Sequence, residues 1–342
     1  MSRKKIVALV SCFLLLLAIV GVLAQSSEAK THLKLATATK GGTYYPVGVA
    51  LASLINEKLS SSSEGITMEA ITSAGSFENI DLLERNVSQL AILESLIGAI
   101  AWRGMENYRG RPMRGMLSIT TLWEDVVHFL VRAQKAKTGN VMDLARFGKD
   151  GFSMGKKGSG TRISTEIILT NLQINPENVF TLVGLGYKDS SLALQKGSIS
   201  GMTTPGGLPV NAVTEAFLKI GAKNLRILDF TKDQADYVNC PLRVWRPYVI
   251  PANTYPGQTR AVNSIAQPNF LAVRQNVDDD VVYLLTKTIY ENLPSLKKAH
   301  QAVSSMHLKK ALKSLPVPLH PGALKYYKEQ GMEIPDYLFP NY

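Results

Sequence analysis

Cysteine is nearly absent from this chain, which has only Cys12 and Cys240 among 342 residues. Cys12 lies in an apolar N-terminal stretch, without the surroundings of a lipidation site. If that stretch is removed, one cysteine remains and no internal disulfide can form. The fold must therefore depend on an apolar core, for which 45% hydrophobic residues in a chain of this length are sufficient.

The motifs of the common enzyme and metal-binding classes are also missing. There is no G-x-x-x-x-G-K-[ST] phosphate loop and no G-x-S-x-G nucleophile elbow, and Ser159 has no evident base partner. The five histidines are far apart, and none has a zinc-binding spacing. We therefore expect no catalytic residue, no metal and no cofactor, and an enzyme is the third possibility behind two kinds of ligand-binding protein.

Long runs of one charge are absent as well, although the net charge is +11. Removal of Arg3, Lys4 and Lys5 would lower it to +8 (11 − 3). The remaining basic residues are scattered and form only short pairs, which is typical of a solvated surface. No nucleic-acid partner is expected.

What is present at the N-terminus is an export signal. Three basic residues precede residues 6–24, which carry no charge. The best cleavage point follows Ala24, and Ala29 marks a second choice. Because about 18 apolar residues can also span a bilayer, residues 1–24 are either a cleaved signal peptide or a retained anchor. Both interpretations place the rest of the chain in the periplasm.

Strand and helix patterns alternate through the rest of the chain, which predicts βαβ units and mostly parallel sheets. We expect one lobe from residues 31–124, a second from 125–245, and a return to the first over 246–342. The predicted strands are 33–38, 66–71, 89–93, 125–132, 151–155, 179–183, 199–203 and 270–273. The predicted helices are 46–59, 76–86, 141–147, 162–172, 190–195, 209–219 and 278–290, followed by a helical tail.

Three loops share one design, at residues 41–45, 73–76 and 158–161. Each follows a strand, contains Gly and hydroxyl residues and opens a helix, with Ser76 as the expected N-cap of its helix. A helix N-terminus presents unpaired N–H groups and a partial positive charge, so it binds anions. Any one loop is better explained as a capped helix. Three of them, with Tyr44 and Tyr45 beside the first, favour a carboxylate site, although at least one of the two rings should pack in the core.

These motifs, in this order, resemble the TAXI family of TRAP-transporter solute receptors. The resemblance implies a type II periplasmic-binding-protein fold: two α/β lobes, a ligand cleft and two hinge crossings. It also implies a small carboxylate or amino-acid ligand, similar to glutamate, glutamine or 2-oxoglutarate, and delivery to a TRAP membrane permease. The matching segments are residues 41–48 (GGTYYPVG), 73–92, 155–169, 192–209, 250–258 and 279–290.

The resemblance also implies a set of binding residues. Side chains would come from Thr43, Tyr44, Ser76, Asn79, Ser159 and Thr161, backbone N–H groups from Gly42 and Gly158, and a second-lobe wall from Pro205 and Gly206.

The chain departs from the family pattern at two places. Residues 198–201 lack the acidic-alanine pair that is common there. Glu94 stands at the start of a stretch where the family usually has a Gln-x-Asp-like sequence. Glu94 would repel a carboxylate unless it turns away or contacts an ammonium group, which favours an amino acid.

We therefore expect a monomeric, non-catalytic receptor that serves a transporter. The alternative is an exported or membrane-tethered sensor that uses the same cleft.

Overall fold

The computed structural model describes residues 31–63, 65–239 and 243–340. The predicted signal or anchor at residues 1–24 and the lone Cys240 lie outside the described residues. Among the helices that are described, none is both long and apolar enough to cross a membrane.

The described strands form two sheets of related topology. In the first, the order is β2-β1-β3-β11-β4, and β10 pairs with another part of β11; in the second it is β7-β6-β8-β5-β9. Each sheet has three parallel strands followed by an antiparallel one. The strands are β1 His32–Ala36, β2 Thr67–Ile71, β3 Leu90–Glu94, β4 Met116–Val126, β5 Phe129–Arg132, β6 Gly151–Ser153, β7 Thr181–Val183, β8 Gly201–Thr203, β9 Leu225–Ile227, β10 Arg246–Ile250 and β11 Val262–Arg274.

Helices cover the faces of both sheets. They are α1 Tyr44–Leu59, α2 Ser76–Glu84, α3 Ser95–Arg103, α4 Gly160–Asn171, α5 Pro176–Val179, α6 Tyr187–Lys196, α7 Asn211–Ile220, α8 Lys232–Val238, α9 Asp279–Glu291, α10 Leu293–Lys297 and α11 Pro321–Glu329. In α9 the buried residues Val282, Leu285 and Ile289 follow the helical spacing, and Asp278 caps the first turn by accepting from Asp280 N.

The chain passes between the lobes along strands. It leaves β4 of the first sheet through Val127 and His128 and enters β5 of the second sheet. It returns between β9 and β10. At the first crossing, Val127 N donates to Ile265 O (2.9 Å), and Val126 exchanges two backbone hydrogen bonds with Gly206 (3.0 Å each). The predicted strand 125–132 is therefore two strands, because the chain changes sheets within it.

Other elements also differ from the predicted ones: β9, β10 and α8, for example, were not predicted. Helix α3 was not predicted, because every residue from Ser95 to Ala101 is buried and the segment shows no amphipathic period. The predicted strand 270–273 is the end of the longer β11, which tolerates Pro268 at an irregularity in its pairing with β4. The predicted helix 141–147 is a 3₁₀ helix, Val141–Arg146.

Candidate functional site

A small cavity lies between the lobes, where strands of both sheets end and helices begin. Its volume is about 40 Å³, which is room for a few water molecules at roughly 10–15 Å³ each, so only a compact ligand fits. The first sheet and its loops contribute Ala38, Thr39, Gly42, Thr43, Tyr44, Ala74, Gly75, Ser76, Glu94 and Asp125. The second lobe contributes Ser159, Gly160, Thr161, Tyr187, Pro205 and Gly206.

The first glycine loop brings Thr43 and Tyr44 to this cavity. The Thr43 hydroxyl donates to Gly207 O (3.1 Å) and so connects the two lobes. The Tyr44 hydroxyl donates to Asn269 Oδ1 (2.5 Å), and its ring packs edge-on against Trp123. Burial, followed by the negative charge of Asp125, raises the pKa of Tyr44 well above its ordinary value, so Tyr44 stays neutral.

The second loop does not act as predicted. Gly75 occupies the N-cap position of α2, with a positive φ of 132°, and Ser76 is the first helical residue. The Ser76 hydroxyl instead accepts a hydrogen bond from Glu94 N (3.0 Å). Ser76 therefore lines the cavity and also fixes the end of β3, and the predicted N-cap role is wrong.

Asn79 lies behind the cavity and does not line it. It is fully buried, and its Nδ2 donates to Thr37 O (2.7 Å) and Ile92 O (2.9 Å), while its Oδ1 accepts from the Ser73 hydroxyl (2.6 Å). These bonds join β3 to the end of β1. The geometry gives Asn79 a structural position instead of the predicted ligand contact.

We expect Asn79→Ala to destabilise the fold without removing the cavity wall. Ile92 O and Thr37 O would each lose the Asn79 donor, but Thr37 O would keep the Ser73 hydroxyl (3.0 Å). At about 1–3 kcal/mol for a buried group left unsatisfied, the free energy of unfolding should fall by about 1–3 kcal/mol. Urea denaturation measures the change, with the exposed Asn224→Ala as control. Unchanged stability together with lost ligand binding would contradict this assignment.

The third loop opens α4. Ser159 caps the helix by accepting from Arg162 N (3.1 Å) and donates to Lys156 O (2.7 Å). Gly158 is not part of the cavity lining; its carbonyl accepts from Glu78 N (2.9 Å) across the cleft. The Thr161 hydroxyl contacts the Tyr187 hydroxyl (2.8 Å), which donates to Pro205 O (2.6 Å). The hydroxyls of this loop are thus engaged with the protein itself.

Glu94, at the end of β3, is the first of two acids in the cavity wall. Its side chain is 4% exposed and accepts hydrogen bonds from the Ser164 hydroxyl and from Gln267 Nε2 (2.9 Å). A side chain at position 160 would collide with its carboxylate, so Gly160 permits this approach. Burial raises the pKa of Glu94 to about 7, against the opposing effect of the two hydrogen bonds.

Asp125, on β4, is the second acid, and it was not among the predicted site residues. The residue is 3% exposed. Among the described residues its carboxylate accepts one hydrogen bond, which is long, from Asn269 Nδ2 (3.4 Å). Burial, followed by the charge of Glu94, raises the pKa of Asp125 well above its ordinary value. Its carboxylate is therefore poorly satisfied by the protein and faces a ligand-sized space.

No basic side chain balances these acids in the cavity wall, all of which lies in the described residues. His128 lies beyond Asp125 on the crossing segment, and its Nε2 bonds to the Tyr255 hydroxyl (2.7 Å). Burial lowers the pKa of His128 to about 4, so this ring is neutral near pH 7. The described residues also contain no group of three or more His, Cys, Asp or Glu side chains arranged to hold a metal ion.

Comparison with known proteins identifies the family. The model of the NMT1-like family matches residues 35–331 of this chain. The chain belongs to the NMT1-like family.

Solved structures with the same architecture show the fold of this NMT1-like protein. One is MatC from Rhodopseudomonas palustris with bound malate, at 14% identity and a TM-score of 0.55, covering 87% of this chain and 97% of that one. Another is the periplasmic binding protein BugD, at 13% identity and a TM-score of 0.54, covering 88% and 94%. A third is a binding-protein component of an ABC phosphonate transporter from Pseudomonas aeruginosa, at 10% identity and 0.52, covering 79% and 78%. The type II periplasmic-binding-protein fold, with two α/β lobes, is confirmed.

The cavity of the NMT1-like protein thus brings together most of the predicted residues and several that were missed. Gly42, Thr43, Tyr44, Ser76, Glu94, Ser159, Thr161, Pro205 and Gly206 line it, whereas Asn79 and Gly158 do not. Asp125 and Tyr187 are the important omissions. The available signal for Asp125 was an acidic pair, Glu124 and Asp125, at the start of a mostly apolar run, DVVHFLV, which is an unusual place for charges.

Proposed function

We propose that this NMT1-like protein is a periplasmic solute receptor whose two lobes close around a small, amine-bearing carboxylate. The observation that carries the proposal is the cavity between the lobes, whose wall is contributed by both of them. A ligand that contacts both lobes favours the closed arrangement, because it gains its full set of contacts only there. The lobes would follow the predicted division, residues 31–124 with 246–342 and residues 125–245, with the first boundary moved to the crossing at Val127 and His128. The reason is that Asp125 and Val126 belong to β4 of the first sheet.

Several observations support a small acid as the ligand class. MatC was solved with malate, which is a small acid, and the cavity between the lobes of this chain admits only a compact ligand. The first turn of α4 lines the cavity at Gly160 and Thr161, where N–H groups of a helix start have no intrahelical acceptor and attract a carboxylate.

The charges in the cavity wall distinguish the amino acids glutamate and glutamine from 2-oxoglutarate, which has no amine. Glu94 and Asp125 both line the cavity, and the wall has no cationic side chain to offset them. An ammonium group near Asp125 would supply the missing positive charge, whereas a ligand with only negative charges would add repulsion. We therefore favour glutamate or glutamine over 2-oxoglutarate.

Transport is proposed from the ordered TAXI-like motifs and from the export signal in the sequence. In this proposal the receptor delivers its ligand to TRAP membrane subunits. Sodium-loaded and sodium-free proteoliposomes that contain those subunits would test it, since uptake should require the receptor, the ligand and an ion gradient together. Uptake that is independent of the receptor would count against this partner.

We expect glutamate or glutamine to bind the purified mature protein with a dissociation constant of about a micromolar, equivalent to roughly 8 kcal/mol. Binding of 2-oxoglutarate should be at least about tenfold weaker, which is about 1.4 kcal/mol. Titration calorimetry with these three compounds, malate and succinate measures both. If folded protein binds none of them, the ligand class is wrong; if 2-oxoglutarate binds best, the amine requirement is wrong.

A further inference from the structure

Glu94 makes a side-chain contact with the opposite lobe, which ligand binding alone would not require. It ends β3 in the first sheet, yet its carboxylate accepts a hydrogen bond from Ser164 on α4 of the other lobe. Ser164 is 1% exposed, so this contact lies inside the closed cleft. A side chain of the first lobe is therefore bonded directly to a helix of the second.

The remaining surroundings of Glu94 fix it in this position. Gln267, on β11, donates to the same carboxylate (2.9 Å) and also accepts from Leu96 N (2.8 Å) through its Oε1. Gly160 packs against the carboxylate, where no side chain would fit. Because Gln267 belongs to the first sheet, Glu94 is held by its own lobe and offers its free acceptor capacity to Ser164.

Burial makes this contact sensitive to lobe position. A buried carboxylate loses its water shell and needs hydrogen-bond donors in exchange. In the closed cleft, Ser164 supplies one of those donors, and separation of the lobes would withdraw it and readmit water. Asp125, by contrast, faces the cavity, and in the described part of the chain its side chain accepts one long hydrogen bond, from Asn269.

We infer that Glu94 and Ser164 form a clasp between the lobes, and that Glu94 acts as a positioning residue for closure instead of as a ligand contact. The clasp determines what fraction of the molecules is closed, whereas Asp125 determines which chemical class of ligand is bound. This inference rests on the proposed function only in assuming that closure encloses the solute.

A solute-independent experiment measures the clasp directly. Backbone atoms of Lys40 and Lys188 meet across the cleft mouth, with N to O at 3.4 Å. Cysteines at these two positions, in a Cys240→Ser background, should form a disulfide at a rate proportional to the closed fraction. We expect Ser164→Ala to slow cross-linking by about tenfold or more, the size expected for loss of a hydrogen bond to a charged group. Ser164→Thr, which keeps the hydroxyl, should largely restore the rate.

Ser153→Ala is the matched control, because Ser153 is an equally buried serine whose bond to Ser190 (2.7 Å) lies within the second lobe. It should leave the cross-linking rate unchanged. Equal cross-linking rates for Ser164→Ala and the parent would overturn the clasp. Equal slowing by Ser153→Ala would also overturn it, because the slower rate would then reflect general destabilisation of the fold.

A second measurement separates the clasp from a ligand contact. Ser164→Ala should raise the dissociation rate of glutamate and glutamine by the same factor and leave their affinity ratio unchanged. A changed ratio would show that the Glu94 region reads the ligand and would overturn the positioning role. If no solute binds, the proposed function fails, and the cross-linking rates still decide the clasp.

Discussion

Asp125→Asn is expected to weaken glutamate or glutamine binding by about 30-fold or more. Removal of one partner of a buried charge pair costs about 2 kcal/mol or more, and each 1.4 kcal/mol is about tenfold in affinity. Asp125 is 3% exposed, and among the described residues its side chain accepts one hydrogen bond, at 3.4 Å from Asn269, so its carboxylate gains most from an ammonium group. Asparagine keeps the shape and removes the charge.

The same substitution should have the opposite effect on an acid without an amine. Binding of 2-oxoglutarate should improve or stay unchanged in Asp125→Asn, because one source of repulsion is gone. Titration calorimetry of both ligands gives the comparison. Asp280→Asn is a suitable control, since Asp280 is exposed and pairs with Lys325 at 3.1 Å, outside the cavity. Equal weakening of both ligands by Asp125→Asn would refute ammonium recognition.

The affinity for an amino acid should rise with pH between about 5.5 and 7.5, by up to about tenfold for each pH unit, the limit for one linked proton. Burial raises the pKa of Glu94 to about 7, so this carboxyl carries a proton below that pH in the free cleft. An ammonium group bound at Asp125 favours the ionised form of Glu94 through space, without contacting it, and so lowers the pKa of Glu94. Binding therefore releases a proton below pH 7, and affinity falls as the pH falls.

An acid without an amine should show the reverse dependence, because ionisation of Glu94 and Asp125 adds repulsion as the pH rises. Other groups near the pair do not titrate in this window: the pKa values of Tyr44 and Tyr187 are raised by burial, and that of His128 is lowered to about 4.

Calorimetry in two buffers of different ionisation enthalpy measures how many protons are released when the ligand binds. Glu94→Gln should reduce the pH dependence near 7 while keeping an acceptor for Ser164. The dependence that remains belongs to Asp125, whose pKa is also raised, by burial and by the charge of Glu94. A pH-independent affinity with no proton release would exclude this coupling.

Local patterns were sufficient to predict much of the fold. The alternation of strands and helices and the glycine loops at residues 41–45 and 158–161 depend on neighbouring residues, and the structure has helices starting at Tyr44 and Gly160. Helix α3 was missed because burial on all sides removes the polar stripe that marks an amphipathic helix.

The candidate site was less accessible from the sequence. A hydroxyl next to a glycine can form a hydrogen bond either with a ligand or with the protein. Only the structure shows that Ser76 accepts from Glu94 N and that Thr43 donates to Gly207 O. The family resemblance implied that Asn79 binds the ligand, but its side chain donates to carbonyls of β3 and of the residue after β1. Such partners depend on sheet order, which local sequence does not specify.

The sequence by itself predicted an export signal, and it determined the α/β class and the glycine-containing helix starts, because each is a property of adjacent residues. Only the tertiary structure decided which groups meet in the cleft. Glu94 lies 70 positions from Ser164 and 173 from Gln267, and Asp125 joins them through the crossing from one sheet to the other. Enclosure away from water then raises the pKa of both acids, and burial of that kind exists only when the two lobes come together.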